Sequence, residues 1–289
     1  MSNSKINNLD ITNAKRPKTK DIVVRDEYDQ IREFPITGEL PLTIFVNKKE
    51  VVTLMTLGHY PESLVIGYLR NQGFIESLNE LISVHVDWDT NTAAVKTTSD
   101  VESWENKLTH KIVTSGCGQG TTFSGVWDEI KNKKIKPDKL KQSTIYTILK
   151  LLHDKNEIYR KSGAVHGCAI CDDKKIIDFI EDVGRHNAVD AIAGNMWLNN
   201  ITSENKMFYT TGRLTSEMVI KVAQMNIPFL ISRSGITEMG LNVAKETGVT
   251  LLGRAKGKHF LIYNGYENIV FDEIPKPRPS GAPDVWERR

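Results

Sequence analysis

Two β-rich runs, Leu42 to Val46 and Glu50 to Met55, flank Asn47-Lys48-Lys49 and predict a hairpin. Pro61-Glu62 then opens an amphipathic helix. Proline suits the first helical turn, and glutamate suits the positive end of the helix dipole. Leu64, Val65, Tyr68 and Leu69 form its apolar face, and Gly73 suits its end. Ile82, Val84, Val86 and Trp88 alternate with polar neighbours, the period of a half-buried strand, and Ala93 to Thr97 is its expected partner.

From Ser143 the pattern changes. A helix capped by Ser143 or Thr144 carries Ile145, Ile148, Leu149 and Leu152 on one face. Ala164 to Cys171 and Lys175 to Ile180 read as paired strands around Asp172-Asp173. A helix over about His186 to Trp197 follows, then a strand from Met207 to Tyr209 and a helix capped by Thr215. Pro228 to Ser232 is a strand, Thr237 to Thr247 a helix stopped by Gly248, and Thr250 to Leu252 and Phe260 to Tyr263 are the last strands. Such alternation predicts a three-layer α/β domain over 143–273, behind a smaller N-terminal α+β domain over 21–130. Six lysines between 131 and 141 mark a basic linker over 131–142. Residues 1–20 are polar and predict a disordered lead, and 274–289, with four prolines, an extended or disordered tail.

Composition narrows the function classes. The 289 residues are 39% hydrophobic and 26% charged, an ordinary globular balance. Thirty-eight basic against thirty-six acidic residues leave +2, so nucleic-acid or membrane binding would need a local patch, and neither charge nor aromatic pattern supports a nucleic-acid partner. No apolar run approaches the roughly 18 residues of a membrane helix, and the polar N-terminus has no secretory core. The expectation is a soluble cytoplasmic protein without nucleic-acid or membrane partners. Three cysteines, an odd and small number, argue against a disulfide framework.

Each cysteine then needs a reason. Cys117 lies in an aperiodic loop over 114–122, between Gly116 and Gly118. That setting leaves a sulfur approachable, and nearby lysines favour the thiolate, so Cys117 is the candidate nucleophile or sulfur carrier. Cys168 and Cys171, with His166, spell a His-x-Cys-x-x-Cys that could serve zinc or redox chemistry. On a strand, however, His166 and Cys168 share one face and Cys171 takes the other. Extended chain holds the two cysteines about 10 Å apart, beyond disulfide reach, so they read as packing residues.

Polar groups concentrate where strands meet helices. Glu181 to Asp190 contains Arg185 and His186 at a predicted helix N-terminus, a natural anion site. Gly212-Arg213 precedes the next helix in the same way, and Gly253 to His259 is a third basic turn. Loops at one end of a parallel sheet converge, so the three turns predict a pocket for a large phosphorylated or nucleotide-like ligand.

Pro61-Glu62-Ser63-Leu64 with Gly67-Tyr68-Leu69, Ser115-Gly116-Cys117-Gly118, Ser162 to His166, Glu181 to Asn187, and Gly212-Arg213 with Glu217-Met218-Val219 follow one another along the chain. This ordered set resembles the FdhD family, the formate dehydrogenase accessory sulfurtransferases. The resemblance covers about residues 35–270. It implies a C-terminal domain of cytidine-deaminase-like fold and a protein that takes sulfur from a cysteine desulfurase as a persulfide. The sulfur then passes to the molybdenum or tungsten bis(guanine dinucleotide) cofactor of formate dehydrogenase. It also implies a homodimer. Cys117 matches the persulfide cysteine. Arg254, Ala255, Lys256, Gly257, Lys258 and His259 match a stretch that binds the dinucleotide cofactor, to which the anion-site reading adds Arg185, His186 and Arg213. Some members carry C-x-x-C in the loop; here the second position is Gly120, so Cys117 alone can carry sulfur there. Cys168 stands where a deaminase signature puts its glutamate, two residues after the histidine, so deaminase chemistry and a side-chain metal site are not expected. The rival readings are a cofactor-binding chaperone without sulfur transfer and a zinc-dependent deaminase-like hydrolase using His166, Cys168 and Cys171.

Overall fold

The computed structural model describes residues 9–98, 112–113, 120–121, 130 and 134–275. The N-terminal half contains β1 (Asp10–Ile11), β2 (Thr19–Arg25), β3 (Ile31–Thr37), β4 (Leu40–Val46), β5 (Lys49–Thr56), α1 (Pro61–Asn71), β6 (Leu81–Asp87) and β7 (Thr92–Thr97). Two short strands, β8 (Ile112–Val113) and β9 (Gly120–Thr121), pair with each other. The second half runs β10 (Leu140–Lys141), α2 (Gln142–Lys155), α3 (Glu157–Ser162), β11 (His166–Cys171), β12 (Ile176–Asp182) and α4 (Arg185–Leu198). It continues with β13 (Met207–Thr210), α5 (Ser216–Gln224), β14 (Phe229–Ser232), α6 (Glu238–Thr247), β15 (Thr250–Lys256), β16 (His259–Asn264) and β17 (Ile269–Val270).

The second half is a six-stranded sheet in the order β12-β11-β13-β14-β15-β16, covered on both faces. Alternation along the strands builds the layers. Cys168, Ile170, Phe208, Leu230 and Leu251 join the core that includes α4, α5 and α6, whereas Ala169, Cys171, Tyr209, Ile231 and Leu252 join the core that includes α2. β12 and β13 point the same way, because each is antiparallel to β11, and β13, β14 and β15 are parallel. The carboxyl ends of β12, β13, β14 and β15 therefore share one edge.

The first half is a five-stranded mixed sheet, β1-β6-β7-β4-β5. Its helix α1 departs from the sequence expectation of one apolar face: every residue of α1 except Arg70 is buried. One side packs into the N-terminal core, and the side bearing Ser63, Gly67 and Asn71 crosses α4. A Cβ on Gly67 would sit far inside contact with the Asp190 carbonyl oxygen and 2.7 Å from the Gly194 nitrogen. A Cβ on Gly194 would in turn overlap the Ser63 carbonyl oxygen. The two helices meet backbone to backbone, which only glycine permits. Around the crossing, Arg70 Nη1 donates to the Ala193 carbonyl at 2.8 Å and Asn71 Nδ2 to Asp190 Oδ1 at 2.7 Å.

Two expectations need correcting at the boundaries. The lead is ordered from residue 9: β1 pairs in parallel with β6, and Ala14 N and Thr12 Oγ1 both donate to the buried Glu62 carboxylate. Sequence polarity missed this because hydrogen bonds to Glu62 hold a segment whose apolar anchors are only Leu9 and Ala14, partly buried against the core. The hairpin β2–β3 was not anticipated either, since its Val23, Tyr28 and Ile31 are at least 70% exposed and show no buried face. Where a linker was expected, Ile135 is buried, its N–H donates to Thr247, and β10 pairs with β17. The apolar core runs without a break from Leu42 to Leu251, across the expected domain boundary. Residues 131–133 of the lysine run and 276–289 of the tail lie outside the described residues.

Gly67→Ala is expected to lower the unfolding free energy by about 3 kcal/mol in urea titration, because no rotamer relieves a Cβ set against backbone. Gly38→Ala, with nothing within 4 Å of its new methyl, should stay within about 0.5 kcal/mol of the parent.

Candidate functional site

The edge shared by the four strands begins with Asp182 at the end of β12. Its carboxylate is buried and accepts four hydrogen bonds: from Thr56 Oγ1 at 2.6 Å, Leu57 N at 3.0 Å, Gly184 N at 3.0 Å and Asn187 Nδ2 at 2.9 Å. Burial pushes its pKa up, against those four bonds that favour the charge. The same Asn187 Nδ2 reaches the Met55 carbonyl at 2.6 Å. Asp182 and Asn187 thus lock the first turn of α4 to the end of β5. Glu181, facing the other way, accepts from the N–H groups of Ile158 and Tyr159 and caps α3.

Arg185 and His186 open α4 and are 6% and 4% exposed. The Arg185 stem lies over Gly212, where a Cβ would be 3.0 Å from its Cδ. His186 Nε2 lies 3.2 Å from Glu217 Oε2. Burial, then the positive charges of Lys221 and Arg185, push the His186 pKa down to about 2 and outweigh that carboxylate, so the ring is neutral. Lys221 pairs with Asp190 at 2.6 Å, both 4% exposed or less. His166 is lowered as well, by burial and then by Arg185 and Arg213, which places these three residues in one electrostatic neighbourhood.

The loops along the edge are tied by backbone and hydroxyl bonds. Ser232 Oγ donates to the Gly212 carbonyl at 2.6 Å and Ser234 Oγ to the Thr211 carbonyl at 2.8 Å. Arg254 N donates to the Ser234 carbonyl at 2.8 Å. The three basic turns therefore stand at one edge, but they do not form one pocket. β12 and β15 are four strand spacings apart, about 19 Å at about 4.8 Å each. Arg185 and His186 belong to α4, on one face of the sheet.

On the other face lies a cavity of about 540 Å³, a volume typical of small-molecule sites. Ala255, Lys256, Gly257 and Lys258 line it, together with Tyr146, Lys150, His153 and Asp154 of α2, Tyr209 and Arg233. Arg185, His186, Arg213, Arg254 and His259 are not in its lining. Lys256 and His259 close the β15–β16 hairpin, and Lys258 stacks over Tyr146 at 5.3 Å. Burial pushes the Tyr209 phenol up to about 12, so it faces the cavity neutral. The α2 contributors were missed at the sequence level. Tyr146, Lys150, His153 and Asp154 do share a helical stripe, but a polar stripe also reads as a solvated face.

Cys117 and most of its loop, 114–119 and 122, lie outside the described residues. Cys168 and Cys171 are fully buried in different cores, on opposite faces of the sheet. Burial pushes both thiols up to about 12, which keeps them protonated. His166, Cys168 and Cys171 therefore do not converge, and no cluster of three metal-ligating side chains occurs among the described residues.

Residues 37–270 match the family model described as FdhD/NarQ family. The chain is 33% identical over 237 residues to the "Sulfur carrier protein FdhD" of Bacillus pumilus, covering 81% of this chain and 90% of that protein. It is 29% identical over 245 residues to the protein of the same name from Bacillus subtilis, covering 84% and 93%. A solved structure described as a formate dehydrogenase accessory protein from Desulfotalea psychrophila superposes with a TM-score of 0.68 at 26% identity, covering 88% of this chain and all of that one.

A neutral buried His186 links stability to pH. Its folded pKa lies below its unfolded one, so its contribution is present above about pH 6.5 and is lost as pH falls, by up to about 1.4 kcal/mol per unit. Urea midpoints at pH 7.5, 6.0 and 5.0 should drop accordingly. In His186→Gln the slope should be shallower by close to one proton.

Proposed function

This chain belongs to the FdhD/NarQ family, and we propose that it is a sulfur carrier acting through Cys117. The Cys117 thiolate attacks the outer sulfur of a cysteine desulfurase persulfide. The donor S–S bond breaks, a new one forms on Cys117, and the donor leaves as a thiolate, with no net change of oxidation state. The sulfur is then delivered to the molybdenum or tungsten bis(guanine dinucleotide) cofactor, the substrate here, before that cofactor enters formate dehydrogenase. Leaving it as sulfide takes two electrons, from a thiol reductant. The setting is the cytoplasm and the working form a homodimer.

One observation carries this reading: of three thiols, Cys168 and Cys171 are sealed and protonated, which leaves Cys117 as the sulfur able to react. The cavity beside Ala255 to Lys258 supports the substrate assignment, because its cations suit phosphate and its tyrosines suit a base. In this reading the six-stranded layer is a cytidine-deaminase-like frame used for binding. The buried Cys168 thiol occupies the place of a catalytic glutamate.

After incubation with a cysteine desulfurase and cysteine, the protein should gain the mass of one sulfur, localised to the Cys117 peptide. Cys117→Ala should show no gain and should leave formate dehydrogenase inactive in cells lacking the native carrier, whereas Cys171→Ser should keep the gain. Full rescue by Cys117→Ala would instead favour a chaperone that binds the cofactor without transferring sulfur.

A further inference from the structure

The cavity beside Lys256 and Lys258 contains one carboxylate among the described residues of its lining, that of Asp154. It is exposed and stands in the last turn of α2, where the negative end of the helix dipole disfavours an anion. The lining beside it is otherwise cationic, with Lys150, Arg233, Lys256 and Lys258, which favour its charge; Lys258 is itself paired with Glu273 at 2.9 Å. Among the described residues its carboxylate has neither an ion pair nor a hydrogen bond. Arg160 Nη2, at 3.0 Å, bonds the Asp154 main-chain carbonyl instead.

An acid in a cavity that receives phosphates repels them, so it must face some other part of the ligand. Phosphates belong at the Lys256–Lys258 turn and Arg233. The base then lies toward the end of α2. Guanine offers two adjacent donors on one edge, N1–H and the N2 amino group, and a carboxylate accepts both at once. Adenine presents an acceptor at N1 to the same carboxylate and is disfavoured. We propose that Asp154 is the specificity-determining residue of the cavity and selects guanine by accepting from N1–H and N2–H. The proposal rests on the reading above that this cavity takes the nucleotide end of the substrate.

The test uses the full chain and the free nucleotides GDP, ADP and xanthosine diphosphate, titrated by calorimetry. Xanthine keeps N1–H but carries a carbonyl at C2, so an asparagine matches it as a carboxylate matches guanine. The parent protein should prefer GDP to ADP by about tenfold or more. Asp154→Asn should lose about tenfold or more for GDP and gain for xanthosine diphosphate. Lys256→Ala should weaken all three alike. Unchanged GDP affinity in Asp154→Asn, with Lys256→Ala still weakened, would overturn the role of Asp154 and leave the cavity assignment standing. A parent that binds GDP and ADP equally would also overturn it, and a parent that binds neither would remove the cavity assignment as well.

Discussion

The contact of α1 with α4 through Gly67 and Gly194 is the constraint on which the arrangement of the rest depends. Two backbones in direct contact leave no slack for sliding or rotation, because any shift drives a carbonyl oxygen into a main-chain atom. The crossing joins the N-terminal sheet to the six-stranded layer and fixes the axis of α4. The Asp182–Asn187 bonds to Thr56, Leu57 and Met55 then fix where α4 begins. Arg185 and His186 inherit their positions from these two devices.

Below the crossing the interior is polar and its charges are paired, while Asn71 Oδ1 and His186 Nε2 make no hydrogen bond. Lys221 and Asp190 neutralise each other, Asn71 takes the second oxygen of Asp190, and His186 stays uncharged. A buried ion pair of this kind adds little net stability, but losing one partner strands the other charge, so it ties α1, α4 and α5 into one unit. The opposite face of the sheet is built otherwise. Its cavity has buried tyrosines at its floor and exposed Lys150, Arg233, Lys256 and Lys258 around them. One face encloses its Lys221–Asp190 ion pair; on the other, Lys150, Arg233 and Lys256 are exposed and Lys258 pairs with Glu273 at 2.9 Å.

Much of this was legible in the chain. Periodicity placed α1, α2, α4, α5 and α6 and nearly every strand of the larger sheet, because each buries a stripe or a face of its own. Strand alternation separated Cys168 from Cys171, since a period of two admits no other outcome. What escaped was set by partners distant in sequence. Ser63, Gly67 and Asn71 look like the solvated side of a helix until α4 arrives with Gly194. The polar segment before residue 20 looks unstructured until Glu62 accepts its hydrogen bonds. The three basic turns do share an edge, as parallel topology requires. Sequence spacing carries no information about how many strands intervene, or about which face each side chain takes, so one expected pocket resolved into two separate groups.

Cys168 and Cys171 have a use unrelated to sulfur transfer. They lie three residues apart on one strand, yet each is sealed by a different layer of helices. Each sulfur becomes reachable only when its own layer lifts. Their separate rates of reaction with a small alkylating reagent therefore meter two local opening equilibria. The chain carries, about 10 Å apart on one strand, one gauge for the α2 layer and another for the α4–α5 layer.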